Sequence, residues 1–251
     1  MKKSKGIIVA VALLLSGLAQ AQEYKVAKNT GRLEIYLGRV TVEGHNGNEI
    51  IFSSRDGHDE KDERAQGLKM VNALGLDDNT GLGINVTDKG NVIEVRQMKQ
   101  TNSPDVKILV PKGIIVSFSH ESQYGGEASF KNLENEIEVS ANYNSVQLEN
   151  VSGPVTVKSV YGHVEADFNT NLKGPISIVS IYGYVDITLP ISTKADLKMS
   201  TSYGEIFVAG DFKMEMEKQG LHSDRVNGKI NGGGIPVDLS SNYGKIYLRK
   251  K

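Results

Sequence analysis

The chain of 251 residues contains no cysteine, so no disulfide staples it and its N-terminal region offers no cysteine for lipid attachment. An exported chain without cysteine fits a bacterial envelope protein better than a disulfide-dense secreted domain. Tryptophan is also absent, and aromatic residues make up 6%, mostly tyrosine, which argues against a conventional aromatic platform for sugars. Apolar runs of 18 or more residues are missing, and nothing past the first 21 residues approaches that length, so no transmembrane helix is expected. The five histidines, at 45, 58, 120, 163 and 222, show no metal-ligand spacing, and no metal or other cofactor is expected.

The first residues carry a clear signal. Lys2, Lys3 and Lys5 precede the apolar run from Gly6 to Leu18, and Ala19-Gln20-Ala21 forms a small-residue cleavage site. Residues 1–21 therefore read as a secretory signal peptide, with the mature chain starting at Gln22. Of 29 Lys/Arg, three lie in that segment, which leaves 26 against 30 Asp/Glu and a net charge near −4. A nucleic-acid partner needs a basic patch and is not expected, in this compartment or with this charge.

The strongest internal feature is a repeat. Tyr-Gly-x-(Val/Ile) occurs at Tyr161-Gly162, Tyr182-Gly183, Tyr203-Gly204 and Tyr243-Gly244, with looser copies at Tyr143-Asn144 and Tyr124-Gly125-Gly126. The steps from 124 to 203 are 18 to 21 residues, and the step to 243 is 40, about two periods. A period of this size marks units that bury their apolar faces only against neighbouring units. After each Tyr-Gly, apolar residues alternate, as in Val164/Ala166/Phe168 and Val185/Ile187/Leu189, and this predicts one-face-buried strands. Gly153-Pro154 and Gly174-Pro175 mark a second corner in each period. The sequence thus predicts an all-β solenoid with coils of about 20 residues, two strands and two corners each. Asn144 in a glycine slot suggests positive φ at Asn144, Gly162, Gly183, Gly204 and Gly244. A small residue two before each tyrosine (Ser122, Ala141, Ser159, Ser180, Thr201, Ser241) suits a closely stacked corner.

Residues 22–111 read as an irregular N-terminal β cap with the first coils, interrupted by a charged insertion at 55–79 with a short helix expected near 67–74. Residues 112–251 read as the Tyr-Gly solenoid, continuous with the cap in one domain. The stretch 211–234 is expected to replace one repeat.

The cap segment "VKILVPKGIIVSFSHESQYG" (106–125) and the repeats "VSGPVTVKSVYGHVEADF" (151–168) and "LKGPISIVSIYGYVDITL" (172–189) resemble an exported bacterial β-strand-repeat family that carries the name "putative adhesin". It is similar to the adhesin head domains of auto-transporters. The resemblance covers about residues 30–250, implies a single-stranded, right-handed β-helix, and carries no catalytic residues across. The expected protein is a non-enzymatic solenoid of the periplasm, outer membrane or cell surface that binds a protein or glycan.

Several side chains could carry function. Tyr143, Tyr161, Tyr182, Tyr203 and Tyr243 should stack in a column along one edge, either packed at the corner with hydroxyls bonded to backbone or open as a binding strip; the packed form is the expectation. The acids Asp56, Asp59, Glu60, Asp62 and Glu63 lack the order of a calcium loop and read as a solvated face. Gly232–Gly234 reads as a loop. Two alternatives remain: a carbohydrate-active β-helix enzyme and an envelope-assembly or lipid-shuttling scaffold. The enzyme would draw on the outward acids Glu138, Glu149, Glu165, Asp186 and Glu205, with Glu165 and Asp186 one coil apart. Lys158, Lys173 and Lys198 among them favour a merely solvated face.

Overall fold

A computed structural model describes residues 23–54, 63–68, 70–216 and 225–251. The signal segment, Asp56 to Asp62, His58 and His222 lie outside the described residues. The chain starts with β1 (Glu23–Val26), makes β2 (Thr30–Tyr36) and β3 (Val40–His45), and turns back as β4 (Ile50–Ser54). After the insertion it forms the hairpin β5 (Ile84–Asp88) and β6 (Val92–Gln97), then β7 (Val106–Pro111). It then winds as pairs: β8 (Gly113–His120) with β9 (Glu127–Lys131), β10 (Ile137–Ala141) with β11 (Ser145–Val151), β12 (Val155–Ser159) with β13 (Val164–Phe168). The pairs β14 (Ile176–Ser180) with β15 (Val185–Leu189) and β16 (Ala195–Thr201) with β17 (Ile206–Val208) follow. A hairpin, β18 (Met214–Met216) and β19 (Arg225–Ile230), precedes the final pair, β20 (Ile235–Ser241) and β21 (Ile246–Lys250). In the insertion the described residues hold one 3-10 turn, Glu63–Ala65, rather than the helix expected near 67–74.

One strand of each pair joins a ten-stranded sheet and the other an eleven-stranded sheet, with mostly parallel pairing within each. The alternation read from sequence explains why. Val146, Val164, Val185 and Ile246 lie in register in one inward column, and Ile137, Val155, Ile176 and Val237 in another, all buried. Each such side chain contributes about 1.5–3 kcal/mol when fully removed from water. The columns of both sheets merge into one apolar core that includes Phe118, Phe130 and Phe168.

The order of rungs differs from the order of the chain. β20 and β21 sit between β14/β15 and β16/β17. At the other end β2 and β3 sit between β6/β7 and β8/β9. The described part of the stretch 211–234 stands in place of a coil as the antiparallel strands β18 and β19 on β16, and the last segment returns to an inner rung.

Candidate functional site

The tyrosine corner is built by parallel, in-register stacking. The Tyr161 N–H donates to Asn142 O, Tyr182 N–H to Val160 O, Tyr243 N–H to Ile181 O and Tyr203 N–H to Asn242 O, at 2.8–2.9 Å. The backbone ladder thus runs through the corner and carries the rings with it. Ring centroids follow at 4.7 Å (Tyr143–Tyr161), 5.0 Å (Tyr161–Tyr182), 5.0 Å (Tyr182–Tyr243) and 5.0 Å (Tyr243–Tyr203), with planes within 17° of parallel. The rings stack as the sequence reading required, but Tyr243 stands between Tyr182 and Tyr203.

The expected burial is corrected. Tyr143, Tyr161, Tyr182 and Tyr243 are 44–52% exposed and Tyr203 75%, and among the described residues their hydroxyls have no hydrogen-bond partner. Ring faces cover one another, so the column presents ring edges and a row of phenol groups to solvent. Tyr124 stays out of the column because its corner is longer. Six residues lie between His120 and Glu127, whereas three lie between their strand partners Ala141 and Ser145.

The glycines are also corrected. Gly162, Gly183, Gly204, Gly244 and Asn144 are all absent from the positive-φ residues, which include Asn132, Asn150, Gly232 and Gly233. The Tyr-corner glycines are required by close approach instead. A Cβ on Gly183 would lie 2.2 Å from the carbonyl oxygen of Gly162, and one on Gly244 2.2 Å from that of Gly183. Asn144 fills the gap left by the longer corner. Its Oδ1 lies 2.8 Å from His120 Nδ1, and its Nδ2 donates to Gly38 O at 2.6 Å.

The small residues before the tyrosines carry a second ladder. Ser180 Oγ accepts from the Gly183 N–H and donates to Gly162 O. Ser241 does the same between Gly244 and Gly183, and Thr201 between Gly204 and Gly244. The slot is held by His120, not Ser122, in the rung before Ala141. The opposite corner has an asparagine ladder that the sequence reading missed: Asn169 Nδ2 donates to Asn150 Oδ1 and Asn150 Nδ2 to Asn132 Oδ1. Asn132 and Asn150 turn there at φ 54°. Their spacing of 18 residues was the available signal.

Beside the tyrosine column the ten-stranded sheet carries another aromatic row: His163 stacks on Tyr184 at 4.8 Å, and Tyr247 on Phe207 at 5.3 Å. Tyr184 Oη donates to Glu165 at 2.6 Å, and this bond, with burial, pushes its ionisation up to about 12. Glu165 and Asp186 are direct cross-strand partners, one coil apart as expected. However, Arg249 holds Asp186 with a two-pronged contact at 2.7 and 2.8 Å. Lys131 holds Glu149 at 2.6 Å, Lys245 holds Glu205 at 2.8 Å, and Arg32 bonds Glu138 and keeps its carboxyl below the usual range. An open hollow of about 410 Å³ over Asp196, Lys198, Asn227, Lys229 and Asp238 has Lys198 and Asp238 paired at 3.3 Å. Among the described residues no three His, Asp or Glu side chains gather as metal ligands, and no helix is long and apolar enough to cross a membrane.

These features define a two-sheet β-solenoid whose corners are closed by glycine contacts and hydroxyl bonds. Residues 126–249, just under half of the chain, match the family model described as Toastrack DUF4097. Among solved structures it is similar to a putative cell adhesion protein from Clostridium sporogenes, with 14% identity over 92% of this chain and 100% of that one, at a TM-score of 0.48. It is also similar to putative adhesins from Bacteroides fragilis (12% identity, 91% and 96% covered, TM-score 0.31) and Parabacteroides merdae (9%, 94% and 96%, 0.27). No curated protein matches the chain.

Proposed function

We propose that the protein is a non-enzymatic, exported solenoid of the bacterial envelope, a single continuous domain after the signal segment, whose tyrosine edge binds a protein or glycan partner. The observation that carries this reading is the exposure of five stacked tyrosines in one column. Tyrosine offers contact area at low conformational cost and a hydroxyl for hydrogen bonding, a combination suited to recognition. The outward acids support the same reading, since each is held by a cation or by Tyr184, whereas glycoside hydrolysis needs two free carboxyls flanking one bond. A lipid-shuttling role is disfavoured by an interior filled with Val, Ile, Leu and Phe. Export rests on the Lys-rich start, apolar run and Ala-x-Ala site of residues 1–21.

The test is a pull-down from the envelope fraction, with a glycan array in parallel, comparing wild type with the triple variant Tyr161→Ser/Tyr182→Ser/Tyr243→Ser. A folded variant that loses the captured partner supports the reading. Equal capture by both proteins overturns it.

A further inference from the structure

The two sheets do not end together. At the C-terminal end of the solenoid the ten-stranded sheet stops at β17, while the eleven-stranded sheet continues for two more strands, β19 and β18. Beyond β17 there is a step two strands deep, about 10 Å by the usual inter-strand spacing. The other three sheet ends close on antiparallel strands: β1 and β5 at the far end, β18 here. Among the described residues β17 is held only by its parallel neighbour β21.

The backbone shows which groups the step offers. Glu205 O accepts from the Ile246 N–H and the Ala209 N–H donates to Leu248 O, so these alternate residues face β21. Ile206 and Val208 therefore turn their N–H and C=O groups toward the step. Their side chains share columns with Ile246 and Leu248, which are buried, yet Ile206 and Val208 are only half-buried. Ala209, Met214 and Val226, also partly buried, belong to this end of the core. Tyr203 (75%), Met216 (61%) and Phe207 (45%) stand exposed around it.

We propose that a second copy of this chain fills the step, so that the two-strand overhang of each copy lies on the short sheet of the other. A two-fold axis along the strand direction brings β18 of one copy antiparallel to β17 of its partner, and the same contact forms twice. Two observations select this occupant over a single peptide strand. The step and the overhang are both two strands deep, and both sides are apolar. An unpaired edge of this kind is a template for strand addition. The joint closes on itself because the far end is finished by antiparallel strands. It also leaves both tyrosine columns along one edge of the dimer, which doubles the length of that edge.

The test is sedimentation velocity of the mature chain from about 1 to 100 µM, the range in which association of ordinary strength is resolved. Wild type is expected to be a dimer. Phe207→Lys places a charge on the edge, and Val208→Pro removes an N–H that faces the step while sparing the bonds to β21. Each variant should weaken dimerisation at least tenfold with an unchanged circular-dichroism spectrum, and Met216→Lys on the exposed overhang should do the same where either variant fails to fold. Tyr161→Ser, in the middle of the column, should leave the dimer intact. A wild-type monomer across the range, open-ended assembly, or a dimer equally tight in the folded edge variants would overturn the proposal.

Discussion

A single residue type serves two unrelated purposes in this chain, and the sequence shows only the letter. Glycine and asparagine share the slot after the corner tyrosine, which points to positive φ, but the left-handed residues lie elsewhere, with Asn132 and Asn150 at the opposite corner. At the tyrosine corner the constraint comes from the next rung: backbone passes so close that a Cβ on Gly183 would meet the Gly162 carbonyl at 2.2 Å. The distinction predicts a pattern of substitutions. A left-handed turn would tolerate asparagine, whereas a steric seam rejects every side chain. Gly183→Ala should lower stability by about 2–3 kcal/mol, as overpacking does, and Gly183→Asn should be no milder. Gly210→Ala, with nothing within 4 Å of the added methyl, should stay within about 0.5 kcal/mol. Urea melts of the three variants check this, and a mild Gly183→Asn beside a severe Gly183→Ala would restore the conformational explanation. The slot was legible in the sequence; its cause was not, because both causes select the same residues.

At the scale of strands and corners, most of what the sequence showed survives. Side chains alternate with a period of two, so inward columns such as Val146–Val164–Val185 could be read directly, and a 20-residue period puts equivalent residues one strand apart. Exposure of the tyrosines was not readable, since a corner side chain can fold inward or outward without changing the pattern. Their stacking and half-exposure set the expected energetics. Tyr182→Ala removes two ring stacks and should destabilise by about 1–3 kcal/mol, below the ~3–5 kcal/mol of a buried aromatic. A larger loss in a thermal melt would mean that the column is structural first. The neighbouring aromatic row makes a separate prediction through Tyr184. Its hydroxyl donates to the Glu165 carboxylate, so its ionisation lies near 12 in the folded chain, against about 10 when unfolded. The bond therefore contributes its full stability below pH 10 and loses it as pH rises through 12. Spectrophotometric titration of the phenols should show Tyr184 ionising late, beside Tyr36, which burial and its bond to Glu34 also push up, and Glu165→Gln should move the Tyr184 step back toward 10. A titration unchanged by that substitution would remove the carboxylate as the cause.

For the molecule as a whole, the decisive fact is that the last two strands, β20 and β21, form an inner rung rather than the end one. Sequence could not show this, because the step of 40 residues from Tyr203 to Tyr243 equals two periods whether the last segment adds to the outside or returns within. Only hydrogen bonding reveals it: the Tyr203 N–H binds Asn242 O, and the Tyr243 N–H binds Ile181 O. In an ordinary solenoid each unit touches only its sequence neighbours, and loss of the last unit leaves the rest standing with stability reduced by one repeat and one interface. Here the last segment is a keystone. Among the described residues β21 is the only strand bonded to β17, and β20 lies between β14 and β16. Deleting residues 235–251 should therefore do more than remove one rung. β17 loses its partner, β16 keeps only the antiparallel β19, and β14 and β15 become unprotected edges. Hydrogen exchange of the truncated chain should show protection lost across β14 to β19, with the coils from β8 to β13 still protected and the melt broadened or split. The intact chain should lose protection over β14 to β21 as one cooperative unit. If β16, β17 and β19 keep native protection without residues 235–251, the rungs follow chain order and the inserted last coil is wrong.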